Sequence, residues 1–325
     1  MHYKLSIAPM MDRTDLHFRN FMRLITQHTL LYTEMIHANA IIYDKNKRFD
    51  IEQECKGPTA LQIGCSNPKI ATTLAKKIKN YNFQEININC GCPSNKVLKG
   101  EFGAILMKKP KLVAQIVDSI KEHTDIPITI KTRIGIDNLD SEEFLYTFVD
   151  ELKKVNVNTV IIHARKAILQ GLNPHQNRTI PPLNYDRVKF IKKSFKNMNI
   201  ILNGGLTDIY QSKPLLKEYD GVMFGRYAWD NPWAFSQVDQ IFFNKKYKII
   251  NKYEIIDKYI NYSLKYIQKG YPIRRLIRPL FNIFYASHGN KYWKLQLNEV
   301  LNNNLSINKL SDIAENIVKS DQKAA

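Results

Sequence analysis

The stretches Asn199-Ile200-Ile201-Leu202-Asn203-Gly204-Gly205 and Gly221-Val222-Met223-Phe224-Gly225-Arg226 are short apolar runs, each broken at its end by glycine and a polar group, with an amphipathic segment, Ser212 to Tyr219, between them. That is a strand, a helix and a second strand. The same alternation runs back through the chain, with strands expected at Leu5 to Pro9, Leu30 to Met35, Thr59 to Gly64, Glu85 to Asn89, Ile126 to Thr132, Thr159 to Ala164, Ile200 to Gly204 and Gly221 to Gly225. Helical patterns lie between them, at Pro68 to Asn80, Pro110 to His123, Glu142 to Val155 and Tyr185 to Phe195. Eight strand-plus-helix units match a (β/α)8 TIM barrel. A doubly wound open sheet is the alternative, but no Gly-rich dinucleotide fingerprint follows the first strand. The α/β barrel is expected over residues 1–244, followed by a small all-α C-terminal domain over residues 245–325, with a linker at Asn244 to Asn251 and helical periodicity from Tyr253 to Lys319.

Composition narrows the class. With 325 residues, 44% apolar and 24% charged, the chain can bury a sizeable core. Disordered and small disulfide-stapled proteins are excluded. No apolar run approaches the roughly 20 residues of a membrane span, and the Met1-His2-Tyr3-Lys4 start lacks a secretory pattern, so a cytoplasmic protein with reduced thiols is expected. The 48 Lys+Arg outnumber the 30 Asp+Glu by 18. Residues 245–325 hold 15 basic and 6 acidic residues, which is half of that excess in a quarter of the chain. Codon bias accounts for a diffuse surplus but not for its placement, which points to a polyanionic partner.

A barrel carries its chemistry on the loops that follow its strands. Here the strands run out into Pro9-Met10-Met11, Gln62-Ile63-Gly64, Asn87-Ile88-Asn89-Cys90-Gly91-Cys92-Pro93, Lys131-Thr132-Arg133, His163-Ala164-Arg165, Asn203-Gly204-Gly205 and Gly225-Arg226. One such ending is commonly a solvated turn; seven on one rim form a site. The last two have the composition of a phosphate cradle, with close backbone N–H groups and one guanidinium. Gln62, Asn89 and Lys131 suit the polar edge of a ring system, and Pro9, Met10 and Met11 its apolar wall. These requirements fit a flavin mononucleotide.

The loop from Cys90 to Lys109 is long for a structural connection. A metal site built from Cys55, Cys65, Cys90 and Cys92 lacks paired ligand spacings, and no metal is expected. Cys90 reads as a buried thiol. Cys92, between Gly91 and Pro93, is the candidate acid, because an unperturbed thiol is mostly protonated at neutral pH. In the last quarter, Tyr271, Arg274, Arg275, Arg278, Tyr285, His288, Lys291, Tyr292, Trp293 and Lys294 interleave cations with aromatic rings. This suits RNA phosphates and bases, and equally a helix pair whose aromatics face a core.

At these residues the sequence resembles the tRNA-dihydrouridine synthases, and within them the A branch. The likeness rests on Ala8-Pro9-Met10-Met11-Asp12-Arg13-Thr14, Ile88-Asn89-Cys90-Gly91-Cys92-Pro93-Ser94, Phe102-Gly103-Ala104-Ile105-Leu106-Met107 and Gly221 to Arg226. The branch is marked by His163-Ala164-Arg165-Lys166-Ala167 followed by Asn177-Arg178-Thr179-Ile180-Pro181-Pro182-Leu183. The resemblance implies an FMN-binding barrel with a helical tRNA-binding domain, in which NADPH drives reduction of D-loop uridines at positions 20 and 20a. It implies FMN contacts at Pro9, Met10, Met11, Gln62, Lys131, His163, Asn203, Gly204, Gly205, Gly225 and Arg226, and a proton donor at Cys92. It further implies RNA contacts at Asn89, His175, Arg178, Lys291 and Lys294. His175 departs from a common lysine, Tyr227 from a common acidic residue and Cys90 from a small apolar one.

Two other classes are weighed against this. A dihydroorotate-dehydrogenase-like flavoenzyme acting on a free pyrimidine has no use for a basic helical appendage. A non-catalytic tRNA-binding protein has no reason to keep Cys92, Lys131 and both glycine turns. Nothing in the sequence calls for a partner subunit, so a monomer is expected.

Overall fold

The computed structural model describes residues 2–45, 49–94, 97, 99–246 and 251–324. Eight strands close into one barrel in sequence order, all parallel: β1 (Leu5–Ile7), β2 (Leu30–His37), β3 (Thr59–Gly64), β4 (Glu85–Cys90), β5 (Ile128–Arg133), β6 (Thr159–His163), β7 (Asn199–Asn203) and β8 (Gly221–Phe224), which pairs back with β1. The expected α/β barrel is the observed fold, and the open sheet is excluded. Strand edges differ from expectation where proline intervenes. β1 stops at Ile7 rather than Pro9, which has no N–H to give, although the Ala8 amide still donates to Phe224 at 2.7 Å. β5 starts at Ile128, because Pro127 contributes only its carbonyl, taken by the Ile86 amide.

The intervening helices start on side-chain caps. Asp15 accepts from the Phe18 amide to open Leu16–Ile25, Asn67 caps Pro68–Ile78, and Ser141 accepts from Phe144 to open Glu142–Lys154. Between β7 and β8 the helix expected over Ser212 to Tyr219 is instead a short turn, Ile209–Ser212, running into a 3-10 segment, Lys213–Lys217. Pro214 breaks the α-helical ladder there.

Residues beyond the barrel form helices Lys252–Gln268, Ile273–Ile277, Asn290–Leu301 and Lys309–Ala324. Four residues of the expected linker, 247–250, lie outside the described residues. The first two of these helices pack against Leu16–Ile25 on one flank of the barrel and the last two pack on them, and all belong with the barrel to one apolar cluster that takes in Leu5, Phe18, Phe21, Phe224, Tyr259, Leu276 and Trp293. The Phe21 and Tyr259 rings pack edge-on at 5.2 Å, and His17 Nδ1 lies 2.9 Å from the Tyr262 hydroxyl. Asp239, buried at the end of the barrel, takes hydrogen bonds from the Thr26 hydroxyl and the Gln27 and His28 amides, fixing the turn that ends Leu16–Ile25.

Because that cluster is common to both parts, Phe21→Ala should cost about 3–5 kcal/mol and lower the stability of barrel and helices together. Urea unfolding followed by far-UV ellipticity and by indole fluorescence checks this. Midpoints that separate, with only the helices destabilised, contradict a shared core.

Candidate active site at the barrel mouth

Strand register gathers the polar endings. Asn89 lies beside Lys131, Arg133 beside His163, and His163 beside Asn203. Residues two apart on a strand share a face, so Lys131 and Arg133 point the same way. Lys131 Nζ donates to Asn203 Oδ1 at 2.9 Å, and Asn203 Nδ2 donates to the Met223 carbonyl at 2.8 Å, which couples β5, β7 and β8. Burial, helped by the Arg133 guanidinium, pushes the Lys131 ammonium down to about 7. His163 is driven well below the usual histidine range, first by burial and then by Arg133, Lys131, Arg165 and Arg178, so its imidazole is neutral.

Arg133 is 4% exposed. Its Nε donates to the Gly91 carbonyl at 3.0 Å, and its Nη1 to the Lys166 and Asn177 carbonyls at 3.0 and 2.9 Å. It therefore ties the loop after β4 to the loop after β6. Neither Arg133 nor Arg13, Lys131, Arg165, Arg178 or Arg226 has an ion-pair partner among the described residues.

Cys92 is the one described cysteine not fully buried; Cys55, Cys65 and Cys90 are. Asn89 Oδ1 accepts from the Gly91 and Cys92 amides, each at 3.0 Å, and so holds the turn that presents the thiol. The Cys92 carbonyl accepts from Ala104 at 2.9 Å, and its Sγ lies 3.5 Å from Ser94 Oγ. A Cβ on Gly103 would stand 2.6 Å from that Cys92 carbonyl, and its φ of +74° suits glycine. The Cys90 to Lys109 loop, with 95, 96 and 98 outside the described residues, thus folds back onto Cys92.

In the first of the two glycine turns expected to form a phosphate cradle, Gly204 has φ +110°, and a Cβ there would lie 2.5 Å from His163 Cδ2, so only glycine admits the imidazole beneath the turn. Tyr185 OH donates to the Gly204 carbonyl at 2.7 Å. Gly225 opens onto free space, with nothing within 4 Å of an added Cβ, and Arg226 follows it. Arg226 Nη2 also reaches the Arg178 carbonyl at 3.3 Å. Gln62 is placed deeper: it is 1% exposed, with Nε2 on Asn87 at 2.7 Å and Oε1 on Asn89 at 2.8 Å. Pro9 and Met10 follow β1, which borders β8, and are half-buried; Met11 is exposed.

The family model for dihydrouridine synthase (Dus) matches residues 6–318. The chain is 41% identical over 316 residues to the tRNA-dihydrouridine(20/20a) synthase of Shewanella oneidensis, covering 97% of this chain and 94% of that one. The chain belongs to the dihydrouridine synthase family. The enzymes of the same name from Synechocystis sp. and Vibrio vulnificus are 42% and 43% identical, each over 91% of this chain and over 88% and 91% of theirs. Among solved structures, morphinone reductase superposes with a TM-score of 0.52 at 11% identity, covering 78% of this chain and 88% of that one; this likeness is one of fold.

A flavin fits the residues present in this dihydrouridine synthase. The mouth offers a half-buried lysine bonded to Asn203, two glycine turns and guanidinium groups that no carboxylate pairs with among the described residues. Among the residues expected to contact RNA, His175 and Arg178 are exposed on the loop after β6, whereas Asn89 is 8% exposed with its side-chain carbonyl engaged. Lys291 and Lys294 lie on helix Asn290–Leu301, the first exposed and the second half-buried. Trp293 is core, fully buried with Nε1 bonded to the Leu280 carbonyl at 2.8 Å; Tyr285 and Tyr292 are exposed.

Sequence reasoning missed a bridge from the mouth to the helices. Trp229 has the Arg13 guanidinium 5.5 Å from its ring centre and that of Arg278 at 5.7 Å, and its carbonyl accepts from Asn282 Nδ2 at 3.1 Å. The Asp12-Arg13 segment and Trp229 were both visible in the sequence, but nothing local paired them.

The lowered Lys131 pKa gives a pH test on flavin-free protein. Below pH 7 both folded and unfolded chains carry the proton; between about 7 and the ordinary lysine value of ~10.4 only the unfolded chain does. Stability from this group therefore rises with pH through that window. Lys131→Met should remove that part of the slope in urea midpoints measured from pH 7 to 10; an unchanged slope contradicts a lowered Lys131 pKa.

Proposed function

We propose that this mouth reduces uracil in tRNA with Cys92 as the proton donor. The chain is a tRNA-dihydrouridine synthase, a flavin-dependent oxidoreductase. The finer assignments are our reading: FMN as the flavin, NADPH as the reductant, and D-loop uridines 20 and 20a as the targets. The observation that carries this reading is the placement of Cys92, held by Asn89 and tied through Gly91 to Arg133 on the rim of a cationic barrel.

Lys131, His163, Asn203, Gly204, Gly205, Gly225 and Arg226 would hold FMN, with Gln62 beneath and Pro9, Met10 and Met11 as the wall. Bound flavin supplies the hydride for C6 of uracil, which is electron-poor because C5=C6 is conjugated to the C4 carbonyl. Cys92 gives its proton to C5, and the thiol recovers it from solvent. Neutral His163 acts as a hydrogen-bonding group, not a cation. Charge building on the uracil carbonyl is met by the surrounding cations, with Arg165 held in place by the Pro181 and Thr179 carbonyls. The target base has to leave its stack to reach this depth.

Residues 245–325 form the RNA-docking part in this reading, with Lys291 and Lys294 on phosphates and Asn89, His175 and Arg178 nearer the base. The enzyme works as a cytoplasmic monomer; no helix among the described residues is long and apolar enough to cross a membrane.

Two measurements test the assignment. Cys92→Ala should keep bound flavin and NADPH oxidation by oxygen while slowing uridine reduction by about 10²–10⁴, the usual worth of a positioned acid. Near-normal turnover of unmodified tRNA removes Cys92 as the acid. Lys291→Ala with Lys294→Ala should weaken tRNA binding and lower the slope of log K against log salt by about 1.5–2 if each neutralises one phosphate. An unchanged slope removes them from the interface.

A further inference from the structure

Inside the barrel, a chain of hydrogen bonds links the turn at Cys92 to a carboxylate at the far end of β4. The Gly91 and Cys92 amides donate to Asn89 Oδ1 at 3.0 Å. Asn89 Nδ2 donates to Gln62 Oε1 at 2.8 Å, Gln62 Nε2 to Asn87 Oδ1 at 2.7 Å, and Asn87 Nδ2 to Thr129 Oγ1 at 2.8 Å. The Thr129 hydroxyl donates to Glu85 Oε1 at 2.8 Å, and the Tyr32 hydroxyl donates to the same oxygen. All the side chains in this chain are buried, Asn89 the most exposed at 8%.

Every donor points the same way, and the two ends dictate that polarity. Backbone N–H groups can only donate, so Asn89 must turn its oxygen to them and its nitrogen to Gln62; the same choice is then forced on Gln62 and Asn87. At the other end a carboxylate oxygen accepts, so the Thr129 hydroxyl gives its proton downward and takes one from Asn87. Burial raises the Glu85 carboxyl to about 7, against the opposing pull of the Tyr32, Thr129 and Tyr3 hydroxyls; Oε2 is not used by the chain, so a proton resting there leaves Oε1 an acceptor and the polarity intact. Reversing any one amide leaves two donors or two acceptors face to face in a dry interior, which costs the desolvation of both. Bonds aligned in one direction also polarise one another.

We propose that Glu85 and Thr129 are positioning residues for the reaction: through Asn87, Gln62 and Asn89 they fix the orientation of the two amides at the pocket and hold the Cys92 turn. The role in catalysis rests on the reading of Cys92 as the acid; the holding of the turn does not.

The test compares flavin-loaded wild type with Thr129→Val, which keeps the shape but ends the chain, Thr129→Ser, which keeps the hydroxyl, and Glu85→Gln, which keeps an acceptor at Oε1. Amide exchange at Gly91 and Cys92 is the direct readout, since it reports the turn whatever the chemistry. Thr129→Val should exchange these amides about tenfold faster, one hydrogen bond's worth, and lower kcat for uridine reduction several-fold with KM for tRNA unchanged. Thr129→Ser and Glu85→Gln should match wild type in both. Thr129→Cys, with a weak donor and acceptor of similar size, should fall between, and it decides the matter if the valine variant does not fold. Wild-type exchange in Thr129→Val, or equal acceleration in Thr129→Ser, overturns the proposal. Altered exchange with kcat unmoved overturns the role in catalysis while leaving the turn's anchor. Wild type that fails to reduce tRNA overturns the reading of the function instead.

Discussion

The mouth of this barrel depends on a buried guanidinium, Arg133, that pairs with no carboxylate among the described residues. Arg133 spends its N–H groups on the carbonyl oxygens of Gly91, Lys166 and Asn177, so two loops from neighbouring strands are fixed by one side chain without neutralising its charge. A carboxylate partner would have satisfied the same donors and cancelled the field. Carbonyl dipoles satisfy them and leave it. Burial and then its cationic neighbours Arg178 and Arg165 draw the Arg133 pKa down to about 10, a value that still leaves the group charged at neutral pH. Burial first and the Arg133 charge second loosen the hold on a proton of Lys131, two residues away on the same strand, and of His163, its neighbour on β6. A site built this way is incomplete until something anionic enters it, and a phosphate with an electron-rich ring meets that demand.

Small residues set the other constraint. Phe102 fits between Gly64 and Gly100, where an added Cβ would lie 2.6 and 2.4 Å from its ring, and its neighbour Gly103 lets the chain close on Cys92. His37 packs edge-on to the same Phe102 ring at 5.0 Å. The loop after β4 is long, yet its anchor is dense, because glycine at three points lets an aromatic ring and a backbone carbonyl come closer than side chains would permit.

Much of this was legible in the sequence, because a barrel converts strand order directly into spatial order. Once eight apolar runs were recognised, their polar ends had to meet on one rim, and Lys131, His163, Asn203 and Cys92 follow from that alone. What stayed hidden were pairings between distant positions. Arg133 reaches Gly91 and Asn177, more than forty residues away in each direction, and no local pattern marks it beyond sharing a strand face with Lys131. Gln62 and Asn89 were read as facing a ligand, and the sequence did not show that they bond to each other first. In the helical part, composition left Trp293 undecided between stacking and core. Spacing held the answer, since Trp293, Leu297 and Val300 recur at i, i+4 and i+7 and are the buried face of their helix.

The charge excess acquires a route. Arg226 bonds to the Arg178 carbonyl, Arg178 in turn is depressed by burial and then by Arg226 and Arg13, and Arg13 rests on Trp229, whose ring also carries Arg278 of the helical part. Like charges set this close normally call for an acid between them, and none of these arginines has one among the described residues. The indole supplies a different solution: its negative face attracts both guanidinium groups without removing either charge. Trp229 therefore joins barrel to helices while leaving a positive charge on each side of the joint. In the proposed docking of tRNA, the nine surplus charges of the last 81 residues and the unpaired arginines of the rim would act as one surface, joined at Trp229.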